Sequence, residues 1–259
     1  LIYIYHLLNI YKLNFIFTNP NRNGIFYCIN HKNLVIGNSH NGKGVLYKLN
    51  RVKCYEGNFI NSKQNGNGIF YHPNGKMLVK GNFLDGKSYG YKTEVYYPSG
   101  EKKYIGGTFD QKPHGEGVLY YENGKVKYDG NFKHGYYHGK GKLSYEDGTV
   151  KYDGNFEDGN YHGKGTLINP NGENCTAIFE KGNLEGHVQT YWGNGKLQYN
   201  GNYQNGLASG FGFLYREDGD LCCIGNFAFG RIDGYARIYK NNELLYKGNF
   251  KKGELIKKN

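Results

Sequence analysis

The chain carries a recurring run, Tyr-x-Gly-x-Phe, whose period of two puts tyrosine, glycine and phenylalanine on one side of an extended strand and the polar intervening residues on the other. Its core reads Gly57 and Phe59, Gly81 and Phe83, Gly107 and Phe109, Gly130 and Phe132, Gly154 and Phe156, Gly201 and Tyr203, Gly225 and Phe227, and Gly248 and Phe250. Ala177 with Phe179 breaks the glycine. Two residues ahead stands Tyr55, Val79, Ile105, Tyr128, Tyr152, Cys175, Tyr199, Cys223 or Tyr246. Turn dipeptides lie between successive runs: Asn74-Gly75, Ser99-Gly100, Asn123-Gly124, Asp147-Gly148, Asn171-Gly172, Asn194-Gly195 and Asp218-Gly219. Asn-Gly and Asp-Gly between β-rich runs signal a hairpin, because both central residues of the favoured tight turn need positive φ. Each copy therefore predicts strand, tight turn, strand. A second Gly-rich connection, such as His138-Gly139-Lys140-Gly141, is expected to lead out of the previous copy.

A second ruler fixes the copy number. Gly42, Gly66, Gly90, Gly115, Gly139, Gly163, Gly186, Gly210 and Gly234 are separated by 24, 24, 25, 24, 24, 23, 24 and 24 residues. Such self-similarity means that one supersecondary unit has been copied. A lone hairpin is marginal in water, so consecutive ones are predicted to pair edge to edge. The expected fold is all-β, an elongated single-layer twisted antiparallel sheet of about nine tandem hairpins. With strands about 4.8 Å apart, equivalent residues of neighbouring copies lie roughly 10 Å apart and nine copies span about 85 Å.

Composition explains how so thin a sheet could hold together. The 259 residues include 41 glycines, 27 tyrosines and 15 phenylalanines against one tryptophan and one methionine. Aromatics replace aliphatics, and the ladder glycines would let neighbouring rings lie flat over bare backbone. The structural ladder is assigned to Gly66, Gly115, Gly139, Gly163 and Gly210 with Phe59, Phe83, Phe109, Phe132, Phe156, Phe179, Tyr203, Phe227 and Phe250.

The run Tyr128-Asp129-Gly130-Asn131-Phe132-Lys133-His134-Gly135, followed by His138-Gly139-Lys140-Gly141 and Asp147-Gly148, resembles the MORN (membrane occupation and recognition nexus) repeat. The likeness recurs from about Gly37 to Gly253. It weakens in places: Gly37-Asn38-Ser39 lacks the aromatic, and Lys92, Val188 and Ala236 stand where other copies have the second glycine of Gly-x-Gly. The regular trough is expected to bend or end there. Residues 1–23 form an atypical N-terminal segment, a cap or a fragment of an upstream region; 24–255 form the array of about nine repeats; 256–259 are a basic tail.

The resemblance implies a non-catalytic scaffold or adaptor that binds protein partners, for example a helix laid in the groove, and tethers cytoskeletal or membrane-associated assemblies. A terminal repeat would support a homodimer. Two alternatives stand beside it: a targeting or regulatory module cut from a larger enzyme, such as a phosphatidylinositol phosphate kinase or lysine methyltransferase, and an acidic-phospholipid-binding module.

Charge bears on the last of these. Thirty-three Lys and Arg against 22 Asp and Glu give a net charge of +11, a balance that can hold a protein to an acidic surface. Lys251, Lys252, Lys257 and Lys258 are the candidate lipid or partner contacts. Dispersed lysines also keep sheet edges soluble, and the absence of a nucleic-acid-binding signature disfavours DNA or RNA. Leu1 to Phe17 is too short and too polar for a membrane span and lacks the marks of a signal peptide. The expected location is cytoplasmic, with cytoskeletal or membrane association, neither secreted nor transmembrane. Because the chain begins with Leu rather than Met, it is read as a fragment candidate.

Candidate chemistry is sparse. His114, His138 and His162 stand in register, but at about 10 Å apart they cannot share one zinc ion, and they are assigned to the bend at His-Gly-x-Gly. Cys28, Cys54, Cys175, Cys222 and Cys223 include no Cys-x-x-Cys pair, which points to free thiols in a reducing compartment. The Gly139-Lys140-Gly141-Lys142 string continues into a strand rather than a helix, so it does not make a phosphate loop. The reading assigns no catalytic residue, cofactor or metal ligand.

Overall fold

The computed structural model describes residues 27–30, 33–37, 40–48 and 51–256. Every regular element in it is a strand. The chain divides into two compact units, Leu1–Lys125 and Val126–Asn259. The first holds β1 (Tyr27–Asn30), β2 (Asn33–Gly37), β3 (Asn41–Lys48), β4 (Lys53–Ile60), β5 (Lys63–Tyr71), β6 (Met77–Leu84), β7 (Lys87–Ser88), β8 (Gly90–Tyr96), β9 (Lys102–Phe109) and β10 (Lys112–Tyr120). Consecutive strands pair antiparallel, with β6 meeting β7 and β8 in turn. The second holds β11 (Val126–Lys133), β12 (Tyr136–Ser144), β13 (Val150–Glu157), β14 (Asn160–Ile168), β15 (Asn174–Glu180), β16 (Asn183–Tyr191), β17 (Leu197–Gln204), β18 (Leu207–Tyr215), β19 (Leu221–Ala228), β20 (Arg231–Lys240), β21 (Glu243–Lys251) and β22 (Glu254–Leu255). These too pair antiparallel in chain order. The protein is all-β and built of tandem hairpins, as the periodicity predicts.

The tight two-residue turn lies elsewhere than the sequence expectation put it. After each Phe position both central residues have positive φ, as at His134 (51°) and Gly135 (91°), so this is the two-residue hairpin turn. At Asn74-Gly75 only the glycine is positive, at 82°. The Gly75 N–H donates to the His72 carbonyl (2.9 Å) and the His72 N–H to that of Lys76 (2.8 Å). This is a type I turn closed by a glycine bulge. Asn74 favours it by accepting the Lys76 N–H at 3.1 Å.

The His-Gly-x-Gly strings are not connections either. They lie inside strands β10, β12 and β14, where the first glycine makes a bulge: Gly139 sits at φ 61° and Gly163 at 59°. The other ruler glycines, Gly66, Gly115 and Gly210 among them, also have positive φ. That left-handed backbone, repeated once per copy, is why the ruler is glycine.

The second glycine answers a different need. A Cβ at Gly141 would lie 2.2 Å from the Tyr128 hydroxyl oxygen and 2.5 Å from its Cζ. The ring lies flat over Gly141 and Gly130, and its hydroxyl donates to the Asn131 carbonyl at 2.9 Å. Tyr55 over Gly68, Tyr104 over Gly117, Tyr152 over Gly165 and Tyr199 over Gly212 repeat the arrangement. Where the covering residue is Val79, Cys175 or Cys223, the position beneath is Thr93, Val188 or Ala236, each of them buried. Ring and bare backbone are kept or lost together.

The core is this face. Tyr128 is fully buried because Tyr137 stacks on it at 3.9 Å while Phe132 and Phe156 meet it edge-on at 5.0 and 5.3 Å. Tyr152 repeats the pattern with Tyr161, Phe156 and Phe179. Further contacts join copies at the strand ends: the Tyr97 hydroxyl donates to the Tyr120 carbonyl, Tyr145 to Ile168, Trp192 Nε1 to Tyr215 and Arg216 to Tyr239.

The irregular ruler intervals have local causes. The interval of 25 holds one extra residue between Gly90 and Thr93, and Tyr91 is thrown outward. The interval of 23 lacks a bulge, so β14 and β15 pair without a shift.

Candidate functional site

One face is filled by rings, and the opposite face is open. Its central row is built from the x of Tyr-x-Gly and its cross-strand partners. In the first unit the row runs Val45, Glu56, Ile69, Lys80, Glu94, Ile105 and Val118. Its stretch from Val45 to Glu94 lines a trough of about 860 Å³ together with Lys43 and Lys92. The charges are largely internally matched: Lys53 to Glu56 at 3.0 Å and Lys80 to Glu94 at 3.9 Å. Hydrogen bonds from Lys53 and then Tyr71 hold the Glu56 carboxyl below its ordinary range. The Tyr96 hydroxyl does the same for Glu94, and Tyr96 itself is pushed up to about 12, by burial first and that carboxylate second.

In the second unit the row begins Asp129, Lys142, Asp153, with Lys142 and Asp153 paired at 3.2 Å. It passes through Thr166, Thr176, Gln189 and Asn200. It ends as Phe213, Ile224, Arg237 and Lys247. Beside that end stand Phe211, 53% exposed, and Tyr235, 47% exposed. Phe211 and Phe213 meet edge-on at 5.4 Å.

The residues singled out from sequence fall mainly on the ring face. Phe59, Phe83, Phe132, Phe156, Phe179, Phe227 and Phe250 are buried there, and Tyr203 packs half-buried against that core. Phe109 is a correction. It is 47% exposed, against Tyr89 and His114, and the buried Thr108 takes the position expected for it. The true frame of that copy is Tyr104-x-Gly106-x-Thr108, one residue earlier than Ile105-x-Gly107-x-Phe109, since Tyr104 covers Gly106 and Gly117 and its hydroxyl reaches the Gly107 carbonyl at 2.6 Å. The same shift replaces Lys92 by Thr93 beneath Val79, and the Thr93 and Thr108 hydroxyls bond at 2.7 Å. Tyr246, read as a covering ring, is exposed.

Lys251 and Lys252 are exposed at the β21–β22 turn. Lys257, Lys258 and the segment 1–23 lie outside the described residues. His162 Nδ1 is 3.3 Å from Glu157, and His138 Nδ1 is buried without a hydrogen-bond partner among the described residues. Cys54, Cys175, Cys222 and Cys223 are free thiols. Among the described residues no group of three His, Cys, Asp or Glu is placed to hold a metal ion, and no helix is long and apolar enough to cross a membrane.

Sequence reasoning missed Phe211, Phe213, Tyr235 and Arg237. A signal existed: Ser209-Gly210-Phe211-Gly212-Phe213 aligns with His138-Gly139-Lys140-Gly141-Lys142, so two exposed lysine positions become phenylalanine.

A family model of the MORN repeat matches residues 55–77, 128–150, 152–173 and 199–221. A model of the MORN repeat variant matches 113–134 and 184–205. The first four matches each begin at a tyrosine that covers a glycine pair. No curated protein matches the chain.

Proposed function

The chain is a MORN-repeat protein, and on that footing we propose that it is a non-catalytic scaffold that binds protein partners along its open face. The matched modules are repeats rather than catalytic domains, and MORN repeats occur in protein-binding and membrane-associated modules. One observation carries the reading: the ring face is held to a nearly constant pattern, while the open face changes chemistry from charge-paired to apolar along the copies. A face that differs from copy to copy can select partners by position. Tethering of cytoskeletal or membrane-associated assemblies is the corresponding cellular role.

The test is crosslinked capture with the full chain, repeated with the open-face variants Glu56→Lys and Phe213→Ser. The expected result is a reproducible partner lost with one of them. Capture unaffected by either variant would refute the open face as the binding surface. A second reading, contact with acidic phospholipid, is favoured by the net charge of +11; it requires vesicle binding that weakens with salt.

A further inference from the structure

We infer that the open face of strands β18 to β21 docks a narrow acidic segment of a partner protein, with an apolar side chain seated on Phe213 and Ile224 and a carboxylate held by Arg237 and Lys247. The inference rests on the scaffold reading and gives it a chemistry.

The four residues form one cross-strand row: Phe213 opposite Ile224, Ile224 opposite Arg237, Arg237 opposite Lys247. Two cations directly opposite each other on one face repel. Earlier in the same unit the row resolves this by alternation, with Lys142 and Asp153 paired at 3.2 Å. Here nothing resolves it. On the open face Arg237 is bordered by Tyr235 and Tyr239 on its own strand, by Cys222, Ile224 and Asn226 on β19 and by Leu245, Lys247 and Asn249 on β21, none of them acidic. Both cations are exposed, and among the described residues neither has a carboxylate within ion-pair distance. An incoming carboxylate would meet the exposed guanidinium fork of Arg237 and would remove the repulsion with Lys247.

The apolar half is as specific. Phe211 and Tyr235 flank Phe213 and Ile224 and are about half exposed, a cluster of rings of the kind that anchors an interface. The segment must be narrow. Glu217 and Asp218 in the β18–β19 turn and Glu243 at the start of β21 are exposed at one end of the same strands. A broad anionic bilayer would press on those carboxylates, whereas a chain running along the row avoids them. At about 4.8 Å between strands, the centre of the apolar pair lies about 10 Å from that of the cations, which is roughly three residues of extended chain.

The experiment uses the folded chain of 259 residues and short labelled synthetic peptides in a Gly-Ser background. Each carries one leucine or phenylalanine and one glutamate at graded separations, with glutamine counterparts, and binding is read by fluorescence anisotropy. The strongest binding is expected near a three-residue separation. Glutamine in the peptide, or the double change Arg237→Gln with Lys247→Gln in the protein, is expected to weaken it about tenfold, with Arg237→Lys intermediate and the melting temperature unchanged. Equal binding of glutamate and glutamine peptides, or of the double variant and the parent, overturns the inference. So do phosphatidylserine vesicles that bind through Arg237 and displace the peptide, since the strip would then serve a membrane. A captured partner kept at full strength by the double variant refutes the acidic strip but leaves the scaffold reading standing; peptide binding with no captured partner does the reverse.

Discussion

Placing a methyl group under Tyr128 tests the packing device on which the whole sheet depends. In Gly141→Ala the new Cβ would fall 2.2 Å from the Tyr128 hydroxyl oxygen, 2.5 Å from Cζ and 2.6 Å from Cε2. The strand cannot yield, because a Cβ at Gly130 would already lie 2.5 Å from the Gly141 Cα, so the ring must lift. Lifting forfeits its hydrogen bond to Asn131, about 1 kcal/mol, and its contacts with Phe132, Tyr137 and Phe156, about 1 kcal/mol each. The expected loss is about 4 kcal/mol. Tyr128→Cys alone should cost about 3 to 5 kcal/mol as a buried large-to-small change. The double variant copies a pair the chain already uses, Cys223 above Ala236, so its cost should resemble that of Tyr128→Cys alone. Coupling of about 4 kcal/mol, the whole cost of Gly141→Ala, is then expected in equilibrium urea unfolding followed by Trp192, the chain's one tryptophan. Costs that add to within about 0.5 kcal/mol would refute the claim that ring and glycine form one device.

The frame of the third copy predicts that Phe109→Ser changes stability by less than about 1 kcal/mol while Phe132→Ser costs about 3 to 5; equal losses in urea unfolding would restore the earlier frame. Gln111, at φ 67° where most other copies have glycine, should stabilise by about 0.5 to 1 kcal/mol on change to Gly, seen as a raised melting temperature. Burial pushes Tyr55, Tyr152 and Tyr199 up to about 12. Since an unfolded phenol titrates near 10, the folded state keeps protons the unfolded state has released. Stability is therefore full below pH 10 and lost as pH rises through about 12. The part of the phenolate absorbance change that Tyr55→Phe, Tyr152→Phe and Tyr199→Phe remove should appear together with the change in circular dichroism there, and its appearance near pH 10 in a folded protein would contradict the burial argument.

The repeat, its strand period and the face that becomes the core are legible because a strand offers only two sides and the rings choose one. The turns were harder. Asn-Gly suits both the two-residue turn and the glycine bulge, and only the hydrogen bonds around His72 and Lys76 decide between them. The third copy contains Gly106-Gly107, which permits two frames, and an aromatic at Phe109 makes the wrong one look better than a threonine at Thr108. The open-face strip lay beyond the pattern for another reason. Periodicity says that Arg237 points away from the rings, but that its neighbours across the sheet are Ile224 and Lys247 rather than a carboxylate follows only from register.

The same contacts explain why specificity should collect on that face. A substitution on the ring face must be answered across the sheet, as Tyr by Gly or Cys by Val and Ala, so single changes there are costly. One end of the strands is held by turns needing two left-handed residues, the other by side chains such as Tyr145 and Trp192 that reach the carbonyl of the next copy. Both ends are thereby committed to joining copies. Open-face side chains meet neighbours on their own strand or the adjacent one, and a good cross-strand pair contributes only about 0.2 to 1 kcal/mol. Exchanging Lys and Asp for Phe and Ile there costs the sheet little, and the same exchange turns a solvated row into a surface with something to bind.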